Sequence, residues 1–543
     1  MKVHLSQLNP VIGDLDGNTQ KILNAIAKSR DEKADIVLFP ELSICGYPPQ
    51  DLVYHPAFID AMEKHLQTIV QASKGLMVVV GLVRPNLGPG ENGLSNSAAI
   101  AIDGKLIGFH DKWLLPNYDV FNERRYFDPG NTLQTFDYKG KKIGILICED
   151  IWQHAGYVAV RYGRDPVIEM AKLKPDLILN LSASPYNFGK ADIRVEVCAK
   201  VTTTCNCPIV YCAQVGGNDS LLFDGYSVYV DAEGKLRQLA KGFVEDHMVI
   251  DLEAQACACP FKYDMMSDLY NALVMGVRDY FHKSGFKKAC LGLSGGLDSA
   301  LVACIVASAL GPENLLAVSM PSRYTSDLSK TDAKKLADTL GFKLISVPIE
   351  EPFCSYLELL APLFQNRAPD VTEENLQARI RGVILMAISN KLGYIVVSTG
   401  NKSEFALGYS TLYGDSCGGL GVIGDVTKTR AYDLCRWINR DKEIIPKTTI
   451  DRAPTAELRA NQHDQQTLPP YGIVDQVIQS YLEEFMPVSS ISEKHNIPLD
   501  LVKDLVHRIH TAEYKRRQSP PVLRVTPKSF GVGRHFPIVQ TWK

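Results

Sequence analysis

The chain reads as α/β throughout, with a parallel, doubly wound sheet in its second half. Three observations predict this: short apolar runs bounded by turn residues recur along it, helix-like stretches separate them, and one run ends in a glycine turn that opens directly into an apolar helix. At 543 residues the chain is too long for a single core, and its size suggests about two to four domains.

Residues 1–8 alternate like a strand and lack the apolar core of a signal peptide. The runs at 35–40, 76–81, 142–148, 176–181 and 207–212 are apolar and turn-bounded, as buried strands should be, and 18–32 reads as a helix. The pattern breaks over 253–260, where small residues and Pro260 follow one another, so two domains are expected at 1–255 and 265–543. The second restarts with a helix at 264–283 and a strand at 288–293. An apolar helix at 300–310 follows, and strands at 314–320, 342–348 and 393–400 alternate with helices at 326–340 and 373–391. Such βα alternation places ligands at the carboxyl ends of strands, where Ser294 and Thr399 fall.

Composition narrows the function. With 45% hydrophobic and 22% charged residues and a net charge of -3, the chain advertises no nucleic-acid or membrane surface. No apolar run approaches the length of a membrane span. The 13 cysteines are scattered and form no CxxC pair, which points away from disulfides and zinc and toward the reducing cytoplasm. The close pairs Cys205/Cys207 and Cys257/Cys259 are expected to be packing residues.

The string Ser-Gly-Gly-Leu-Asp-Ser at 294–299 carries the most chemistry. Ser294, Gly295 and Gly296 can bring backbone N–H groups close to an anion, and the helix beginning near Asp298 points its positive end at the same place. Asp298 would repel a phosphate unless a cation lay between them, so an anion cradle beside a carboxylate suggests a magnesium-bound polyphosphate. The spacing is not that of a P-loop, and two glycines alone would be an ordinary strand-to-helix turn.

A second constellation lies in the first half. Glu41, Lys112 and Cys148 each stand just past a strand-like run and together supply a base, a cation and a thiol. Glu41 could take the thiol proton during attack on a carbonyl, and Lys112 could steady the oxyanion. Taken singly, they are equally a solvated tip, a surface charge and core filler.

The loop at 294–299 resembles that of the ATP-pyrophosphatases, which cleave ATP between the α and β phosphates to form adenylates. As an ordered set, Glu41, Lys112 and Cys148 resemble the triad of the nitrilase superfamily of carbon-nitrogen hydrolases, with Phe-Pro-Glu-Leu at 39–42, Asp-Lys-Trp-Leu-Leu-Pro at 111–116 and Ile-Cys-Glu-Asp-Ile-Trp at 147–152. That resemblance covers about residues 1–250 and implies a four-layer αββα sandwich. The stretch at 115–127 is similar to the glutaminase branch attached to NAD synthetases, which implies that Tyr118, Ser184 and Lys190 hold glutamine and that Glu123 supports the triad.

In the second half, the segments at 373–382, 398–415 and 453–458 and the Tyr-Lys-Arg-Arg-Gln at 514–518 extend the resemblance to glutamine-dependent NAD synthetases over nearly the whole chain. It implies a Rossmann-like sheet of the ATP-pyrophosphatase type and adenylation of the nicotinate carboxylate of deamido-NAD, followed by displacement of AMP by ammonia. By the same resemblance Gly292, Leu293, Ser294, Gly295, Gly296, Leu297, Asp298 and Ser299, with Thr399, Lys428 and Thr455, bind ATP. Asp298 and Glu404 face Mg²⁺, and Arg379, Glu404 and Lys515 contact deamido-NAD. For Arg379 a solvated helix face is the plain alternative. The segment at 415–423 departs from ammonia-only synthetases, so no contact of theirs is transferred to it. An internal ammonia tunnel between Cys148 and the Ser294 loop and a homodimer or higher homo-oligomer are also implied.

Other glutaminase–ATP-pyrophosphatase fusions, the GMP and asparagine synthetases, use a Cys-His-Glu set and an N-terminal Cys respectively, whereas this chain begins Met-Lys and carries Glu-Lys-Cys. A tRNA-modifying enzyme would bring basic surfaces or cysteine clusters. A scaffold with a decayed glutaminase would not keep Glu41, Lys112 and Cys148 together.

Overall fold

The computed structural model describes residues 1–543 except 159, 255, 256, 258, 366 and 543; the end of the first expected domain, at 255, lies outside the described residues. The chain divides into two compact units, Met1–Asp268 and Leu269–Lys543.

The first unit holds two six-stranded sheets. One runs in the order Asp246–Asp251, Lys2–Gln7, Ile36–Leu38, Met77–Pro85, Leu94–Ile102, Lys105–Asp111. The other runs Leu236–Leu239, Val228–Val230, Ile209–Ala213, Leu177–Ser182, Lys141–Ile147, Thr135–Tyr138. Both are parallel in the middle and antiparallel at the flanks.

Alternation along each strand sorts the side chains into layers. Ile36 and Leu38 pack with Ile143, Ile145 and Leu179 in the core between the sheets. Val37 points the other way, into a core with Ile22 and Ile26 of the helix Leu15–Asp31 and Met62 and Leu66 of the helix Pro56–Ala72. On the far side, Leu146 and Ile178 meet Val197 and Val201 of the helix Lys190–Cys205. The unit is therefore a helix–sheet–sheet–helix sandwich, with strand residues buried on both faces. Cys205 ends that helix and Cys207 lies just beyond it, both buried in the same outer core.

The second unit is built on a five-stranded sheet, all parallel, in the order Lys343–Ser346, Leu315–Ser319, Ala289–Gly292, Ile395–Ser398, Leu420–Gly421. In chain order that is third, second, first, fourth, fifth, so the winding reverses between Ala289–Gly292 and Ile395–Ser398. Crossovers leave the sheet in opposite directions there and open a crevice at the strand ends. Gly292 and Ser398 border it, which puts the Ser294 turn and Thr399 at its mouth. The helices Glu350–Phe364 and Val371–Leu392 cover the sheet through Phe353, Ile380 and Leu385. A separate cluster joins Phe405 and Leu407 to the helices Tyr471–Ile478, Val488–His495 and Leu499–Thr511.

Candidate functional sites

In the first unit three chain segments end in one buried spot. Glu41 follows the strand Ile36–Leu38 where the chain passes against Gly81; a Cβ there would lie 2.3 Å from the Leu42 nitrogen, so only glycine leaves room. Lys112 follows the strand Lys105–Asp111, and Cys148 sits between the strand Lys141–Ile147 and the short helix Glu149–Trp152. Cys148 has φ 45° and ψ -101°, a left-handed conformation that costs a non-glycine residue energy and that accumulates at functional turns. Its N–H donates to the Leu181 carbonyl at 2.8 Å.

The Lys112 ammonium donates to Glu41 Oε1 and to Glu123 Oε1, each at 2.7 Å. Glu41 also accepts from Asn96 Nδ2 at 2.8 Å and, through Oε2, from the Ala183 N–H at 2.8 Å, while the Tyr47 hydroxyl donates to Glu123 at 2.8 Å. Burial opposes the charge on Lys112, but the Glu123 and Glu41 carboxylates outweigh it and hold the ammonium well above its ordinary range. Burial, with the charge of Glu41 adding and that of Lys112 opposing, pushes the Cys148 thiol up. The raised value favours the thiol form of Cys148, and a thiol that is to attack a carbonyl needs a base beside it. Burial raises Glu123 to about 7 against the pull of Lys112, with the Glu41 charge adding.

The residues expected around glutamine surround this spot. Tyr118 donates to both oxygens of buried Glu149, at 3.0 and 3.2 Å, and Tyr162 donates to the same carboxylate at 3.0 Å. Ser184 is buried at the end of the same run as Ala183, and the Lys190 ammonium donates to the Pro185 carbonyl at 2.7 Å and lies 5.2 Å from the centre of the Trp152 ring. A carboxylate, a cation and two phenols together suit a zwitterionic amino acid. Asn96, Glu149 and Tyr162 were not singled out from the sequence.

The second site is a cavity of about 420 Å³ at the sheet's reversal point. Every residue expected to bind there lines it except Gly295 and Arg379. Gly295 has φ +82°, and a Cβ on it would lie 2.2 Å from the Ser329 carbonyl oxygen, so it seats the turn against the helix Asp327–Leu340. Its carbonyl accepts from Arg452 at 2.8 Å, and the Ser294 and Ser299 hydroxyls lie 3.1 Å apart inside the turn. The helix Leu297–Leu310 starts directly after Gly296. Arg379 is exposed on the helix Val371–Leu392, its Nε 3.2 Å from the Leu412 carbonyl, whereas Arg381, two residues on, lines the cavity. Burial pulls the Arg381 guanidinium down to about 10, and its Nε donates to the Met320 carbonyl at 3.0 Å.

Lys428 starts the helix Lys428–Ile438 and reaches between the two carboxylates expected to face a metal, 2.5 Å from Asp298 Oδ2 and 3.7 Å from Glu404 Oε1. Glu404 Oε2 is tied into a capping box with Asn401, and burial, reinforced by the Asp298 charge, raises Glu404 to about 8. Asp298 Oδ1 is buried with no hydrogen-bond partner among the described residues. A carboxylate oxygen left open beside a second buried carboxylate suits a hard cation that keeps most of its water. Asp464, accepting from Tyr471 at 2.9 Å, is a further carboxylate in the lining. Lys515 donates to the Gly408 and Ser410 carbonyls, both at 2.8 Å, and the Thr455 hydroxyl to the Gln462 carbonyl at 2.6 Å.

A nitrilase-type sandwich with a Glu–Lys–Cys set, and a parallel sheet with a glycine turn at its reversal point, define a two-part enzyme. The family model for carbon-nitrogen hydrolases matches residues 2–258, and that for NAD synthase matches 269–519. The glutamine-dependent NAD(+) synthetase of Synechocystis sp. is 42% identical over 99% of this chain and 99% of its own, and that of Thermotoga maritima 40% identical over 100% and 99%. A solved glutamine-dependent NAD+ synthetase from Acinetobacter baumannii, in complex with ADP, is 37% identical and superposes with a TM-score of 0.78, covering 100% of this chain and 99% of that one. The chain belongs to the glutamine-dependent NAD(+) synthetase family, a family of ligases.

Proposed function

We propose that this chain converts deamido-NAD, ATP, glutamine and water into NAD+, AMP, diphosphate and glutamate. The glutaminase occupies the first unit and the synthetase the second. The observation that carries the reading is that one chain holds both a buried Glu41–Lys112–Cys148 set and a cavity opened by the Ser294 turn.

In the first unit Cys148 Sγ attacks the glutamine amide carbon as Glu41 takes the thiol proton, and the Lys112 ammonium steadies the oxyanion. The proton passes to the leaving nitrogen, ammonia departs, and water activated by Glu41 releases glutamate from the thioester. Tyr118, Ser184 and Lys190, joined by Glu149, hold the amino acid.

In the second unit the nicotinate carboxylate attacks the α-phosphorus of ATP, diphosphate leaves, and ammonia attacks the adenylated carbonyl to expel AMP. The turn at 292–299, with Thr399, Lys428 and Thr455, holds ATP. Glu404 and Lys515 hold deamido-NAD with Arg381, the cation of the helix Val371–Leu392 that lines the cavity, while Arg379, exposed outside the lining, serves only a part of the ligand that extends beyond it. Asp298 and Glu404 would hold Mg²⁺, which supplies charge compensation on the phosphates.

The protein works in the cytoplasm, in keeping with 13 free cysteines. No helix among the described residues is long and apolar enough to cross a membrane. It assembles at least as a homodimer: Val383 and Met386 are exposed one and two turns after Arg379 on the same helix face, and Leu359 and Leu363 are exposed on the preceding helix. Incubation with ATP, Mg²⁺, deamido-NAD and glutamine should yield NAD+, AMP and glutamate. Glutamate without NAD+ would reduce the reading to a glutaminase.

A further inference from the structure

Asp150 lies two residues past Cys148 in the helix Glu149–Trp152 and is fully buried. Its Oδ1 accepts the N–H groups of Trp113 and Leu114 at 3.0 and 2.9 Å, and its Oδ2 accepts that of Ile147 at 3.0 Å. Trp113 immediately follows Lys112, and Ile147 immediately precedes Cys148. One carboxylate therefore joins the segment that carries the cation to the segment that carries the thiol. The buried His110 ring, on the strand leading to Lys112, brings Nε2 to 3.6 Å from the same Oδ2, and neither of its nitrogens has a hydrogen-bond partner among the described residues.

We propose that Asp150 is a positioning residue for amide hydrolysis, fixing the Lys112 ammonium relative to the Cys148 thiol by holding the backbone on both sides. The left-handed backbone at Cys148 has to be restrained from outside, and the bond from Ile147 to Asp150 does so on its N-terminal side. A carboxylate suits this task because both of its oxygens accept, and hydrogen bonds from backbone N–H groups to a charged acceptor are stronger than neutral ones. An asparagine has one acceptor oxygen. It could keep Trp113 and Leu114 but would turn an NH₂ donor against the N–H of Ile147.

The inference rests on Cys148 as nucleophile, and the test separates the two claims. In full-length Asp150→Asn and Asp150→Ala, glutamate release is followed over a range of glutamine concentrations, Cys148 labelling is timed with a glutamine chloroketone, and ammonium-supported NAD+ formation reports the fold. For Asp150→Ala, kcat for glutamine is expected to fall on the order of 100-fold, the cost of a misplaced catalytic group. KM should stay within about twofold, since the residue touches no substrate. Asp150→Asn should lose about tenfold, one hydrogen bond's worth. Labelling should slow in the same order, with ammonium-supported synthesis unchanged. Parental kcat, or a raised KM at parental kcat, overturns the proposal. Should the alanine variant not fold, the asparagine variant decides by the same criteria. If Cys148→Ala itself still hydrolyses glutamine, the assignment of the nucleophile fails instead.

Discussion

The Lys112 ammonium lies 2.7 Å from Glu41 Oε1, and neither side chain is exposed to solvent. An ion pair in so dry a place must be matched on both sides, because removing one partner strands the other charge at a cost of about 3–5 kcal/mol. In the proposed reaction the same pair supplies the base, through its carboxylate, and the oxyanion partner, through its ammonium.

Glu41→Gln should therefore fold, since Glu123 still pairs with Lys112 at 2.7 Å, yet hydrolyse glutamine about 10²–10⁴-fold more slowly for want of a base. Lys112→Met leaves two buried carboxylates without their cation and should lower the stability of the first unit measurably in urea. Glutamate release near the parental rate from Glu41→Gln would remove it from the mechanism.

Glu123 gives stability a defined pH dependence. A glutamate carboxyl titrates at 4.5 by default and here near 7, so between these values the folded chain binds more protons than the unfolded one. Its contribution is fully present below about 4.5 and is lost as pH rises through about 7. Relative to the parent, Glu123→Gln should gain stability as pH rises from 5 to 8 in paired urea titrations. A difference that does not change with pH contradicts the raised carboxyl.

In the second unit Asp298 accepts from Lys428 through Oδ2, and its buried Oδ1 has no hydrogen-bond partner among the described residues. Asp298→Asn should abolish NAD+ formation from glutamine and from ammonium while glutamine hydrolysis persists. Normal synthesis at ordinary Mg²⁺ by this variant would exclude Asp298 from the site.

Sedimentation should give a species of at least twice the 60.1 kDa chain mass. A fully active monomer would contradict the homo-oligomer.

Much of this was legible in the sequence because buried strands of an α/β protein write themselves as Val/Ile/Leu runs. The runs expected at 35–40, 142–148 and 176–181 appear as Ile36–Leu38, Lys141–Ile147 and Leu177–Ser182. The strand Leu94–Ile102 was not foreseen, because its Ser95, Asn96 and Ser97 are polar yet buried, one of them to reach Glu41. The strand Leu420–Gly421 is too short to leave a pattern. At the sites, residues at strand ends could be read off, whereas Glu149, Tyr162, Asp150 and Asp464 acquire meaning only from neighbours distant in sequence. Arg379 and Arg381 show the limit most plainly. Two residues along a helix are about 200° around it, so they face opposite ways, and only the fold tells which one meets the cavity.

The most direct test of two chemistries in one chain is NAD+ formation by Cys148→Ala with each nitrogen source in turn. In the proposed mechanism, removing the thiol removes the covalent route to ammonia and leaves the residues of the Ser294 turn unchanged. With glutamine the variant should make no NAD+. With high ammonium at raised pH, where more of the nucleophile is neutral NH₃, it should make NAD+ at the parental rate. Glutamine-supported synthesis by Cys148→Ala, or loss of both activities in a folded variant, would contradict the account.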